Sequence, residues 1–313
     1  MLFRNLHLYR LTRPFTIPPE ELERLLAQQP ARPCGPLEPA TFGWTAPLGG
    51  VLGDRAAALT HGAGGRILLC AERNDRLLPA SVLRQELEQK IAQLQADESR
   101  RVGRNERTRL RDELVQSMLP RAFTRSSRTL AYVDAKERWL VVDTSSANRA
   151  EELITLLRDT VGPLSLQPPQ VQQAPASVLT RWLEGRASAG WQVLDECELQ
   201  DCDDQAGRIR CKHQDLGSDE IRAHVESGMQ VIRLGLEWRE RLSFVLHDDL
   251  SIRRLRFADV VAETLEHMDT DDQAAVFDAE FSLLTLELAG MLNDLLAAFG
   301  GEAQEAYRSG EAA

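Results

Sequence analysis

Nine arginines and no lysine fall between Arg100 and Arg128, in a stretch with only two glutamates and one aspartate. That segment carries a net +6 on a chain whose total is −11, which leaves −17 on everything else. Arg100, Arg104, Arg107 and Arg111 recur at helical spacing, so they share one face if a helix runs through Gly103. Such a row can track phosphates and release their condensed counterions. Its other use is a solvated face whose arginines pair with Glu98, Glu106 and Glu113 of the same segment. Just beyond, Arg121 and Arg125 flank Phe123. An exposed aromatic between arginines stacks on bases or anchors an interface. A buried one packs its segment onto the neighbouring sheet, and the sequence context alone favours that packing.

A second basic group is Arg208, Arg210, Lys212 and His213, followed by Gln214. Alternate residues of a strand point to one face, so Arg208, Arg210 and Lys212 align. Three cations on one strand face do not suit a core element, so that face meets solvent or a binding partner. Arg253, Arg254 and Arg256 form a third group, with Arg254 and Arg256 at same-face spacing.

Other constellations carry less. Cys197, Cys202, Cys211 and His213 lack the close cysteine pair of structural zinc sites. The glycine-rich run His61 to Arg66 has no phosphate-loop lysine and precedes a strand, which makes it a turn. Asp248 and Asp249 fit a hairpin turn, and Asp269, Asp271 and Asp272 fit a helix N-terminus, where carboxylates offset the dipole. His7, His61, His224, His247 and His267 show no dyad pattern, and no nucleophile or metal-protease motif is present. The expectation is a protein with no catalytic residues, no cofactor and no metal.

The elements that must position these groups are readable from periodicity. Leu2 to Leu11 alternates as a strand, Glu20 to Gln28 reads as a helix, and residues 30–65 are Pro- and Gly-rich loop. Further strands are expected at 65–71, 129–133 and 139–143, with an amphipathic helix from Asn148 to Val161 whose Leu153, Leu156 and Leu157 face inward. Leu83, Leu87, Ile91 and Leu94, then Leu110, Leu114 and Met118, mark two helices with narrow apolar stripes. They read as a projecting arm stopped by Pro120. After the Pro-rich stretch 163–176 come a helix at 177–184 and strands at 191–197, 207–211, 230–238, 241–247 and 251–257. A helix starts near Ser218, and a long apolar one covers roughly 273–299. The fold class expected is α+β: a first unit of residues 1–78 and 120–162, the arm 79–119, a linker 163–176, and a second unit 177–313.

The chain has 313 residues, enough for two such units. With aromatics at only 5%, aliphatic side chains must fill the core. No run of about 18 apolar residues suggests a membrane span, and the alternating N-terminus is unlike a signal peptide. Five cysteines suit a reducing compartment. A cytoplasmic protein is expected.

Nearly the whole chain resembles a family of bacterial recombination-associated proteins, RdgC. The segments that carry the likeness are Asn5 to Arg13 (NLHLYRLTR), Pro33 to Gly35 (PCG), Gly43-Trp44, and Ala58 to His61 (ALTH). They continue with Leu77 to Leu94, Leu119 to Phe123 (LPRAF), Trp191 to Leu199 (WQVLDECEL), Lys212 to Ile221 (KHQDLGSDEI) and the final GGEAQ. No single piece is a strong motif; their order and spread are. The resemblance implies a ring-shaped homodimer that encircles DNA without sequence preference and restrains the RecA recombinase. It also implies a nucleoid-associated location and no membrane partner. Under it, Arg100, Arg104, Arg107, Arg111, Arg121 and Arg125 of the first group and Arg208, Arg210, Lys212, His213 and Gln214 of the second become candidate DNA contacts, and Phe123 a candidate dimer contact. His213 stands where a lysine is expected in relatives, which makes its charge depend on pH. The alternative function is an acidic regulator that binds a recombination enzyme directly, without DNA.

Overall fold

The computed structural model describes residues 3–49, 58–201, 207–259, 261 and 273–303. Leu6–Leu11 forms β1, with Leu6 and Leu8 buried toward one side of the sheet and Tyr9 and Leu11 toward the other. Pro18 and Pro19 then open helix α1 (Pro19–Leu26), because proline suits the first helical turn. The stretch 30–65, expected to be loop, holds two strands: β2 (Ala40–Thr45) and β3 (Thr60–Ala63). Both are short and rest on a longer neighbour, β4 (Arg66–Leu77), so pairing rather than intrinsic preference makes them strands. Gly64 and Gly65, at φ +58° and +79°, form the turn from β3 to β4 that the glycine run suggested.

The two strands β4 and β5 (Phe123–Asp134) pair over their whole length, from Arg66 opposite Asp134 to Leu77 opposite Phe123. Where a turn would close this hairpin, the chain instead departs into α2 (Ala80–Glu98) and α3 (Arg104–Met118). The arm is therefore the tip of a long β-hairpin. Arg76 fixes its foot, donating to the carbonyls of Leu119 (2.8 Å), Gly35 (3.1 Å) and Cys34 (3.3 Å). Leu83, Leu87 and Leu110 are buried between the arm helices, and the rest of their surface is largely exposed.

β6 (Trp139–Asp143) follows β5, and α4 (Ala147–Val161) buries Leu153, Leu156 and Leu157 as the periodicity predicted. Residues 163–176 hold β7 (Leu166–Gln167), paired with β1, and backbone bonds from Gln172 and Gln173 to Gly301 and Phe299. The chain goes on through α5 (Pro175–Leu183), β8 (Trp191–Gln200), β9 (Arg208–Lys212) and α6 (Asp219–Glu226). It ends in β10 (Gln230–Trp238), β11 (Leu242–His247), β12 (Ile252–Phe257) and α7 (Gln273–Ala298). These match the expected elements closely. Asp248 and Asp249 do lie in the β11–β12 turn. Asp269, Asp271 and Asp272 lie outside the described residues, as do His267 and Cys202.

All twelve strands belong to one antiparallel sheet with the order β2-β4-β5-β6-β1-β12-β11-β10-β8-β9; β3 adds to β4 and β7 to β1. Its halves meet at β1 and β12, through the pair Leu6 and Ile252. Strand alternation sends side chains to two faces, and the two faces are covered differently. On one face α1 and α4 pack against Tyr9, Leu69, Val133, Leu140 and Val142 of the first half. On the other, α5, α6 and α7 cover the second half and reach Leu6, Leu68 and Tyr132 of the first. α7 is long and apolar enough to cross a bilayer by length and composition. Here it lies along the sheet with Phe281, Leu288 and Met291 buried, and its Glu287 is tied to Arg241 (2.7 Å). Among the described residues no hydrophobic layer covers the second half of the sheet on the α1 and α4 side.

Candidate nucleic-acid interface

The uncovered half-face is made by the outward positions of β9, β8, β10, β11 and β12. Arg208, Arg210 and Lys212 are all exposed there, while Cys211 between them turns to the core. The predicted alignment of the three cations therefore holds. What the sequence did not show is their anchor. Glu198 on β8 is 4% exposed and sits directly opposite Arg210. Its carboxylate accepts from Arg210 Nε (2.9 Å) and Arg233 Nη1 (2.8 Å), with Arg208 at 3.8 Å. Burial opposes its ionisation, but the hydrogen bonds from Arg210 and the charges of Arg233, Arg210 and Arg208 outweigh burial and hold the carboxyl below its ordinary range. One carboxylate thus fixes three guanidiniums and leaves a positive surplus.

His213 lies just past the end of β9 with φ +55°, its side chain exposed and its Nδ1 2.8 Å from Asp195. That hydrogen bond lowers the pKa of Asp195. Gln214 is exposed and its backbone N–H reaches the Asp195 carbonyl at 3.4 Å. Both residues extend the basic row beyond the strand without facing Glu198.

The third group departs from simple alternation. Arg254 adopts φ +53° and is the bulged residue of β12, so Arg253 pairs with Val245 and Arg256 with Ser243. Arg256 therefore shares its face with Arg253, and Arg254 bridges to Glu196. Arg253 Nη2 meets His7 Nε2 at 3.0 Å, which links the open face to β1 at the junction of the halves. Sequence reasoning missed Arg233, His247 and His7 as members of this surface. Arg233 left one signal, a lone cation between Ile232 and Leu234 in an otherwise apolar strand. The histidines left none.

The arm group is placed otherwise. α2 ends at Glu98, Ser99 takes φ +51°, and Gly103 caps a new helix, so no helix runs through Gly103. Arg100 falls out of the row as a result. Its guanidinium is bound by Glu98 and Glu106, with Nη1 2.6 Å from Glu106 Oε2. Arg104, Arg107 and Arg111 stay on α3, all exposed. Arg121 lies in a single 3-10 turn at the arm's foot, and Arg125 on the exposed end of β5 opposite Asp75. Phe123, expected to pack the arm onto the sheet, is 84% exposed. It begins β5 opposite Leu77, itself 41% exposed, at an end of the hairpin that no layer covers among the described residues. Seven strand steps separate β5 from β9, roughly 34 Å at about 4.8 Å each. One chain does not bring the arm and strand groups together.

The described members of the candidate zinc set do not converge: His213 bonds Asp195 in solvent, while Cys197 and Cys211 are buried, and Cys202 lies outside the described residues. Cys197 and Cys211 face each other on the core side, and burial together with the neighbouring thiol pushes Cys197 up to about 12.

The RdgC family profile, described as "Putative exonuclease, RdgC", matches residues 1–302. Proteins named Recombination-associated protein RdgC from Salmonella paratyphi B, Salmonella typhimurium and Salmonella typhi are each 42% identical over 303 residues. The match covers 96% of this chain and 99% of theirs. An end-to-end likeness of that depth, over a fold whose exposed basic groups lie in several of the segments that carried the first resemblance, places this chain in the RdgC family of recombination-associated proteins.

Proposed function

We propose that the protein binds DNA without sequence preference, as a homodimer that surrounds the duplex, and that it thereby limits RecA-dependent recombination. The observation that carries the reading is the half-sheet left without a hydrophobic layer and furnished with cations, on a chain of net charge −11. Acidic surface elsewhere repels a polyanion, so the cationic face sets how DNA approaches. The contacts available are guanidinium and ammonium groups on the sheet and on α3, suited to phosphates, and the sequence carries no recognition-helix motif. Arm and strand groups that lie far apart in one chain come to face the same duplex when two chains close a ring. Phe123 is the proposed anchor of the arm-side contact between chains. The setting proposed is the cytoplasm, at the nucleoid.

Catalysis is no part of the proposal. The description of the family profile favours a nuclease instead, and end-labelled DNA incubated with magnesium or manganese decides the matter: shortening of the label overturns the non-enzymatic reading. The main test is fluorescence anisotropy with mixed-sequence duplexes over a range of salt. Equal affinity for unrelated sequences and a steep fall with salt are expected. Absence of binding at low salt favours the acidic regulator that contacts a recombination enzyme directly.

A further inference from the structure

The cations of the open face surround a depression of about 260 Å³. Its walls follow from strand register. Arg210 lies opposite Glu198, Glu198 opposite Arg233, and Arg233 opposite His247, which makes one polar rung across four strands. Two residues along, Lys212 lies opposite Glu196, and Val245 opposite Arg253. Gly235 belongs to this second rung, opposite Val245, and residues 194–196 of β8 bulge against it as a single residue of β10. A Cβ at Gly235 would stand 3.0 Å from Glu196 Cγ, so a side chain there would crowd the bulge. With no side chain at 235 and a short one at Val245, the floor is low and the rim is long and cationic.

The charges inside do not cancel. Five cations line the depression against two carboxylates, Glu196 and Glu198. Glu196 is engaged by Arg254 and Glu198 by three arginines at once. Among the described residues Arg253 hydrogen-bonds uncharged groups, namely His7 Nε2, the Thr144 carbonyl at 3.5 Å and its neighbour's carbonyl, with the Asp249 carboxylate as the nearby opposite charge. Lys212 has no ion-pair partner among the described residues. Burial, with Arg233 and Arg253 close by, holds His247 down to about 4, so it stands neutral beside them. The recess is smaller than the roughly 300–1,000 Å³ of sites that take a whole small ligand. It suits one compact anionic group, and arginine forks match the oxygens of a phosphate.

We propose that this depression seats a single phosphate group, with Arg233 and Arg253 as its inner contacts and Arg210 and Lys212 at its rim. The phosphate belongs to a nucleic-acid backbone or to a free phosphate compound. For the backbone source the inference rests on the DNA-binding reading; for the free source it does not. The test uses the full chain and two probes, pyrophosphate by titration calorimetry and a labelled duplex by anisotropy at several salt concentrations. The variant is Arg233→Gln, and the control is Arg256→Gln, on the same face outside the depression. Pyrophosphate is expected to bind once per chain, about tenfold or more weakly in R233Q, and unchanged in R256Q. R233Q is also expected to lower the magnitude of the duplex salt slope by about one. A salt-slope change in R233Q without pyrophosphate binding assigns the seat to the backbone alone. Pyrophosphate binding lost in R233Q, with no duplex binding at any salt, keeps the seat and removes the DNA reading. No pyrophosphate binding and an unchanged slope in R233Q overturn the seat, while duplex binding by the parent chain would leave the DNA reading standing. Equal losses in R233Q and R256Q overturn it too, because a diffuse field would explain them. If R233Q does not fold, Arg233→Lys keeps the charge but not the fork, and the same pyrophosphate loss is expected of it.

Discussion

The arm and the open half-sheet are both rich in arginine, yet they hold it by different means. On the arm, Arg100 is locked by two exposed carboxylates of its own segment, and Arg104, Arg107 and Arg111 project from a thinly buried helix. On the sheet, three arginines from two strands converge on one buried carboxylate that belongs to a third strand. Local pairing cancels charge where it arises. Convergence on a shared buried anchor orders several cations and leaves most of their charge unspent. The sheet group is therefore the preorganised one, and the arm group serves reach.

The largest effect that would sharpen this contrast lies at the arm's foot. Phe123 is exposed in the single chain, so Phe123→Ala should leave thermal unfolding of the monomer unchanged. If the arm serves assembly, the same change removes an aromatic anchor, worth about 2 kcal/mol or more, and raises the dimer dissociation constant about thirtyfold. Light scattering across a dilution series measures it. An unchanged dissociation constant, or a stable monomer in the parent chain, would break the division of labour.

Next in size is the anchor itself. Glu198→Ala should lower unfolding free energy by about 1–3 kcal/mol, because it strands guanidiniums that are only partly exposed. Glu198→Gln keeps the shape and tests the charge. The folded carboxyl titrates below its ordinary value, so its stabilisation is fully present above about pH 4.5 and fades as pH falls through the depressed folded value. The gap between parent and E198Q in denaturant midpoint should therefore be widest at neutral pH and shrink in acid. E198Q also makes the face more positive. Simple charge counting predicts tighter DNA binding, whereas loss of preorganisation predicts weaker binding, and the latter is expected here. Tighter binding would reduce Glu198 to a mere counter-charge.

Much of the sheet was legible because its strands alternate cleanly and its turns carry Gly or Asp at the required places. The β5–β6 hairpin and the β11–β12 turn are examples. β2 and β3 were not legible, since their stability comes from β4, a partner distant from β2 in sequence. The break at Gly103 was misread because helical spacing of arginines says nothing about whether a backbone continues. Phe123 stayed open between packing and an exposed contact, with context favouring packing, because burial depends on a layer above the hairpin end, which composition does not reveal; among the described residues it is exposed. The cation row on β9 was visible as period-two charge, but Arg233, His247 and His7 join it only through pairing across strands and a bulge.

The smallest effect is the most diagnostic of where phosphates lie. Each true phosphate contact contributes about 0.9 to the slope of log affinity against log salt, and its loss weakens every sequence alike. Arg210→Ala and Lys212→Ala should each lower the slope magnitude by about one, which amounts to about a fivefold loss at physiological salt. Arg104→Ala and Arg107→Ala should lower it by less, because unanchored side chains on the arm lose more freedom when they settle on a phosphate. Arg100→Ala should leave it unchanged, since Glu98 and Glu106 already occupy that guanidinium. Titrations of all five variants against one mixed duplex give the ranking directly. If the arm variants lose as much slope as the strand variants, the two regions share the phosphate track equally and the shared anchor confers no advantage. If Arg100→Ala joins them, its carboxylate partners release it on binding, and local pairing is no guide to which arginines are free.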